Sequence, residues 1–271
     1  MSGGPPARLQ QPAFIASIGL SAFLLFTLEL QTARVVLPVF GGTPAVWTTA
    51  LCFYSGIVFL GYSYAHLVAT RLSQRAGGIV HLTLAGATLV ATVFLPTNLA
   101  ALRFAHLPAA VNVLLVLALI SGAPAFLLST TTPLLSAWFS KRGGDPWWLY
   151  AVSNGASLVG LIAYPLIIEP TIPLTGQRAL VLVTLTLLAG ALTIVVVRGR
   201  GAVTVIEGSV EAGRPLDAVS PRPTRRRQAL WLFAACIPAG LLSATTTHLA
   251  TDHVSTPRFW LGPRGRSPRR F

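Results

Sequence analysis

A chain of 271 residues is long enough for one or two soluble domains, yet 53% of it is hydrophobic and only 10% charged, against roughly 25% charged in soluble domains. That deficit excludes an ordinary water-facing surface. The net charge of +13, from 20 basic and 7 acidic residues, does not point to nucleic acid either, because the arginines sit between apolar runs and at the chain's end, with no basic helix interleaved with aromatics for base stacking.

A helix that crosses a bilayer needs about 20 apolar residues, since roughly 30 Å of hydrocarbon is crossed at 1.5 Å per residue. Runs of that length lie at 13–37, 45–71, 78–96, 109–138, 147–168, 177–197 and 229–250. They predict an all-α, polytopic transmembrane helix bundle: six helices within 13–197, a basic linker at 198–227 too poor in apolar residues to hold a core, and a seventh helix within 228–252. Residues 1–12 are expected on the cytoplasmic side. A transmembrane barrel is excluded because runs such as Val111 to Ile120 do not alternate polar with apolar residues. The first run continues through Glu29 to Pro38 with no small-x-small cleavage site, so it reads as a retained span and not as a secretory signal. Thr43 before Pro44, and Asp145 before Pro146, are expected to cap the helices that follow.

The intramembrane polar residues come next. Glu29 and Arg34 lie in the outer part of span one, where an ionised group is costly enough to suggest function. Five residues apart, they are about 140° beyond a full turn and do not share a helix face. Each needs another partner: Arg34 either snorkels to headgroups or, like Glu29, meets a substrate, a proton or a polar neighbour. Span two carries Tyr54, Ser55, Tyr62, Ser63, Tyr64 and His66, a polar line that fits either a cavity wall or interhelical hydrogen bonding.

Span four contains Pro124 and Pro133, the latter after Ser129-Thr-Thr-Thr. Each proline frees a carbonyl one turn back and predicts a kink, with the hydroxyls re-satisfying the freed groups. Span five spaces small residues four apart, Ala151 with Gly155 and Ala156 with Gly160, which would let helix backbones approach closely. Asn154 beside that seam is either packing glue or a ligand contact. Trp47, Trp138, Trp147 and Trp148 fall at span ends, where indole rings favour the headgroup layer. Cys52 and Cys236, with no metal-site spacing, read as small buried hydrophobes.

Orientation follows from the basic residues. With the N-terminus inside, the cytoplasmic segments hold twelve (Arg8, Arg71, Arg75, Lys141, Arg142, and seven in the linker) and the outer side three, Arg34, Arg103 and Arg178. This favours a multi-pass protein of the inner (plasma) membrane with a cytoplasmic N-terminus. The tail 253–271 is basic and Pro-rich yet would lie outside, as expected of a truncated or frame-shifted end. No HExxH, GxSxG or Gly-rich strand turn occurs. Catalytic, cofactor and metal residues are therefore expected to be absent.

Glu29-Leu-Gln-Thr-Ala-Arg34, Phe40-Gly-Gly-Thr-Pro-Ala-Val-Trp47, Ser129-Thr-Thr-Thr-Pro-Leu-Leu135, and Leu149-Tyr-Ala-Val-Ser-Asn-Gly-Ala-Ser-Leu-Val-Gly160 through Glu169-Pro170 resemble the membrane half of bacterial fused spermidine synthase-like proteins. The resemblance covers roughly 13–252 and implies a bundle similar to the major facilitator superfamily, placed before a cytoplasmic domain like an aminopropyltransferase. Thr245-Thr-Thr-His-Leu-Ala-Thr-Asp252 is similar to that family's segment in span seven, after which the family continues with further spans and a nucleotide-fold domain. The motifs of that domain are absent here, so its activity does not carry over. The expected partners are the lipid bilayer, a further membrane half or a cytoplasmic transferase-like domain, and no nucleic acid. A non-catalytic membrane module and a permease for a small, cationic metabolite both remain open.

Overall fold

The computed structural model describes residues 11–94, 106–198 and 224–252. The distal end of the third expected span, linker residues 199–223 and the tail 253–271 lie outside the described residues, as do Arg8 and Arg103. The chain divides into two units, Met1–Glu211 and Ala212–Phe271. The first holds α1 (Gln11–Phe40), α2 (Pro44–Arg71), α3 (Gln74–Phe94), α4 (Ala109–Lys141), α5 (Trp147–Thr171) and α6 (Leu174–Arg198). Among the described residues these six are long and apolar enough to cross a membrane. In the second unit, α7 (Arg225–Asp252) contains the apolar run expected at 229–250.

Glycines stop two of the helices. Gly41 and Gly143 adopt φ of 79° and 76°, left-handed values that a Cβ would disfavour. Asp145 stands one residue before the N-cap, which is Pro146 and not Asp145 as expected, but its Oδ1 still bonds the start of α5, accepting from the Trp147 N–H at 3.1 Å. Thr43 stands at the N-cap of α2, but its hydroxyl makes no capping bond. Its carbonyl instead accepts from Val46 and Trp47.

Two prolines follow closely on π turns. In α4 residues Ala118–Gly122 are π-helical, and in α5 so are Tyr164–Ile168. Each stretch ends two residues before a proline, at Pro124 and Pro170. A wider turn there moves the carbonyl that a proline ring would otherwise strike. At Pro133 the helix runs on without a π turn. Hydroxyls in the preceding turn bond back along the helix, Ser129 to Phe126 O at 2.9 Å and Thr131 to Leu127 O at 2.8 Å.

α1 is the central helix, packing most extensively on α5 and also on α4 and α6. The core it anchors includes Phe14, Ile18, Leu24, Leu128, Leu135 and Leu188. Close approaches occur where glycine meets a neighbour. A Cβ on Gly61 of α2 would lie 2.2 Å from the Ser129 hydroxyl of α4, and one on Gly160 of α5 would lie 2.8 Å from the Phe23 carbonyl of α1. The seam expected through Ala151 and Gly155 is thereby displaced. Those two face away from the bundle, and nothing lies within 4 Å of a Cβ on Gly155. Ala156, half-buried, and Gly160, buried, mark the contact face.

Two further expectations are corrected. Trp138 is 2% exposed and belongs to the core, whereas Trp147 is 75% exposed. Cys52 and Cys236 are exposed on their helices and not buried. At the end of the bundle holding residues 69–77 and 138–148, Lys141 donates Nζ to the Ala69 carbonyl in the last turn of α2. Arg142 stacks over Phe14 at 5.4 Å and, with the Gln74 amide turned to present its oxygen, donates to it at 2.7 and 3.1 Å. Basic side chains thus tie neighbouring helices together at this end, Lys141 by satisfying a carbonyl that α2 leaves open.

Candidate functional site

Two cavities among the described residues of the bundle flank α1. The first, about 360 Å³, is lined by Tyr62 of α2, Ser129 and Thr132 of α4, and Tyr150, Ser153 and Asn154 of α5. It brings together two residues singled out from sequence, Tyr62 and Asn154. Both are exposed on the outside of the bundle, so the cavity opens sideways between α2 and α5. Its floor holds Pro133.

The second cavity, about 390 Å³, lies between α1, α3, α4 and α6. Its polar lining comprises Gln31, Thr32, Arg34, Thr92, Thr175 and Arg178, and Pro124 contributes to its wall. Arg34 finds the partner that its own helix denies it on α5: Nε lies 3.5 Å from Glu169 Oε1, and Nη1 donates to the Glu169 carbonyl at 3.1 Å. Both side chains stay more than a third exposed, so the pair stabilises by no more than about 1 kcal/mol. Arg178 donates Nη2 to the Thr92 and Val93 carbonyls at 3.3 and 2.7 Å, closing the end of α3.

Glu29 lines neither cavity. It is half-buried on α1, within electrostatic range of Tyr54, whose buried hydroxyl donates to Ser121 in the π turn of α4 at 3.3 Å. His66 sits on the exposed side of α2, away from both linings.

Sequence reasoning missed the histidine that is inside. His81 of α3 is 1% exposed, with Nε2 3.4 Å from the Thr131 hydroxyl and its ring 6.0 Å from that of Tyr64. Its Nδ1 and the Tyr64 hydroxyl have no partner among the described residues. Tyr150 and Glu169 were missed too. Glu169 had a signal: it stands near the end of α5 as Arg34 stands near the end of α1, and two odd-numbered spans of one bundle run in the same direction.

Among the described residues no cluster of His, Cys, Asp and Glu has the makings of a metal site. The fold and its cavities define a class: six apolar helices, α1 central among them, fit a multi-pass membrane protein in a lipid bilayer. No family model matches the chain, and it matches neither a curated protein nor a solved structure.

Proposed function

We propose that this chain is a non-catalytic membrane module whose sideways-opening cavity receives a small polar molecule and whose α2/α5 face is completed by a further set of membrane helices. One observation carries the reading. Tyr62 and Asn154 are exposed on helices apolar enough to span, beside Tyr150 and the hydroxyls of Ser129, Thr132 and Ser153. Polar groups at membrane depth are costly against lipid and belong on an interior face or a wet cavity. The resemblance to the membrane half of fused spermidine synthase-like proteins agrees, since in a major facilitator-like design two six-helix halves oppose one another.

A permease for a small cationic metabolite is the second reading. It is favoured by Tyr62 and Tyr150, both lining the cavity, because the faces of phenol rings attract a cation once water is excluded. One experiment addresses both readings. Purified chain in nanodiscs is titrated with radiolabelled spermidine, then incubated with putrescine and decarboxylated S-adenosylmethionine. Saturable binding weakened about tenfold by Asn154→Leu, equivalent to about 1.4 kcal/mol, without product is expected. Product above a vector control would overturn the non-catalytic reading. Binding that ignores Asn154→Leu would overturn the choice of cavity, and uptake by sealed vesicles would favour the permease.

The proposed orientation has its own check. In a chain lacking Cys52 and Cys236, cysteines replacing Gln74 and Lys141 should be shielded from an impermeant thiol reagent in intact cells. Cysteines replacing Gly42, or Phe104 outside the described residues, should label. The reverse pattern would place the N-terminus outside.

A further inference from the structure

The second cavity carries a chemistry that the first does not. Two guanidinium groups, Arg34 and Arg178, line it with no carboxylate among the lining residues. The Glu169 carboxylate answers only Arg34, and Glu29, five residues before Arg34 on α1, is not part of the wall. Arg178 has no carboxylate partner among the described residues: its bonds to the Thr92 and Val93 carbonyls occupy Nη2 alone. A cation that served only to close α3 would need no cavity before it. This one faces about 390 Å³ of space whose wall is largely apolar, with Leu28, Val35, Ile120 and Val181 contributing beside the neutral Gln31, Thr32, Thr92 and Thr175. That volume is in the range of small-ligand sites, which combine an apolar lining with a few fixed polar groups. A guanidinium with no carboxylate partner, beside a largely apolar chamber, is matched by a molecule with one anionic end and one apolar end, because guanidinium groups bind carboxylate and phosphate through paired N–H donors.

We propose that the cavity between α1, α3, α4 and α6 binds an amphipathic anion, its phosphate or carboxylate held by Arg178 beside Arg34 and its apolar chain laid against Leu28, Val35, Ile120 and Val181. The site is separate from the Tyr62/Asn154 cavity, takes the opposite charge, and stands whatever becomes of the reading above. It opens at the end of the bundle where α1 and α5 finish and α6 begins, so its ligand arrives from that leaflet or from the water beyond it. Thr175 stands exposed at the mouth, one turn before Arg178 on the same helix.

The test uses full-length chain purified in an uncharged maltoside detergent. Native mass spectrometry and thermal-shift titration follow dioleoyl phosphatidylglycerol, dioleoyl phosphatidylcholine and inorganic phosphate. One phosphatidylglycerol should be retained, at least about tenfold more tightly than phosphatidylcholine. Arg178→Gln should remove that preference. Because Arg178 also closes α3, Thr175→Glu provides a second arm that leaves both arginines in place: a carboxylate three residues before Arg178 would satisfy it internally and should weaken phosphatidylglycerol about tenfold. Competition by inorganic phosphate alone at millimolar concentration would identify a free anion as the source, and its failure a lipid headgroup. Equal retention of the two lipids with no effect of inorganic phosphate, or phosphatidylglycerol binding untouched by Thr175→Glu, would overturn the proposal.

Discussion

Gly160→Leu should lower the apparent melting temperature of the detergent-purified chain by roughly 5–10 °C, while Gly155→Leu, five residues earlier on the same helix, should leave it within about 2 °C. The difference follows from what each Cβ would meet. At Gly160 it would lie 2.8 Å from the Phe23 carbonyl of α1 and 3.4 Å from the Thr27 methyl. That carbonyl already accepts the Thr27 hydroxyl at 3.0 Å, so it is fixed from both sides, and relief requires α1 and α5 to separate. Overpacking against a backbone costs about 1–3 kcal/mol or more, and this is the helix pair with the most extensive packing in the bundle. At Gly155 nothing lies within 4 Å. A larger loss from Gly155→Leu than from Gly160→Leu would mean that α5 is rotated away from the packing of Gly160 on Phe23, with its outer stripe turned inward.

That comparison also marks how far the sequence could be read. Length and hydropathy placed the spans closely: 45–71 against Pro44–Arg71, 147–168 against Trp147–Thr171, and 109–138 against Ala109–Lys141. These signals report where a helix enters and leaves an apolar layer. They do not report its rotation about its own axis. On α5 two small-residue stripes interleave, Ala151 with Gly155 and Ala156 with Gly160, and both satisfy the spacing that permits close approach. Only the contact with α1 chooses between them. The same blindness separates the two histidines, since His66 and His81 each lie in an apolar run yet one faces out and the other is sealed against Tyr64 and Thr131. The π turns were hidden for another reason. A proline announces that a carbonyl must move, but the backbone can respond by kinking or by widening a turn, and the sequence does not say which. The candidate sites were partly legible because charge is scarce: Arg34, unable to pair on its own helix, was expected either to snorkel or to meet a partner elsewhere, and Glu169 of α5 is that partner.

Trp138→Ala should destabilise the chain by about 3–5 kcal/mol, and Trp147→Ala by no more than about 0.5 kcal/mol. Both indoles lie near helix ends, and chain position alone suggests the headgroup layer for each. Their surroundings differ. Trp138 has its ring edge against Gly77 of α3, 3.3 Å from where a Cβ would stand, in a corner that also holds Val68 and Leu72. The glycine at that position is what lets the indole reach the axis of α3, so ring and glycine act as one packing unit. Removing the ring leaves a void that the α2–α3 corner cannot close, because the nearby Lys141 bond to the Ala69 carbonyl holds α4 to the end of α2, and a cavity that cannot collapse has the largest cost. Trp147 has Tyr150 beside it, ring centroids 6.3 Å apart, and is 75% exposed, so its loss forfeits contacts made mainly with solvent or headgroups. Thermal unfolding of the two variants in detergent measures the difference. Trp138→Phe should fall between them, since a smaller ring still covers Gly77. Should Trp147→Ala prove the more damaging of the pair, Trp138 would be acting as an interfacial anchor and the packed α3–α4 corner would not exist in the membrane.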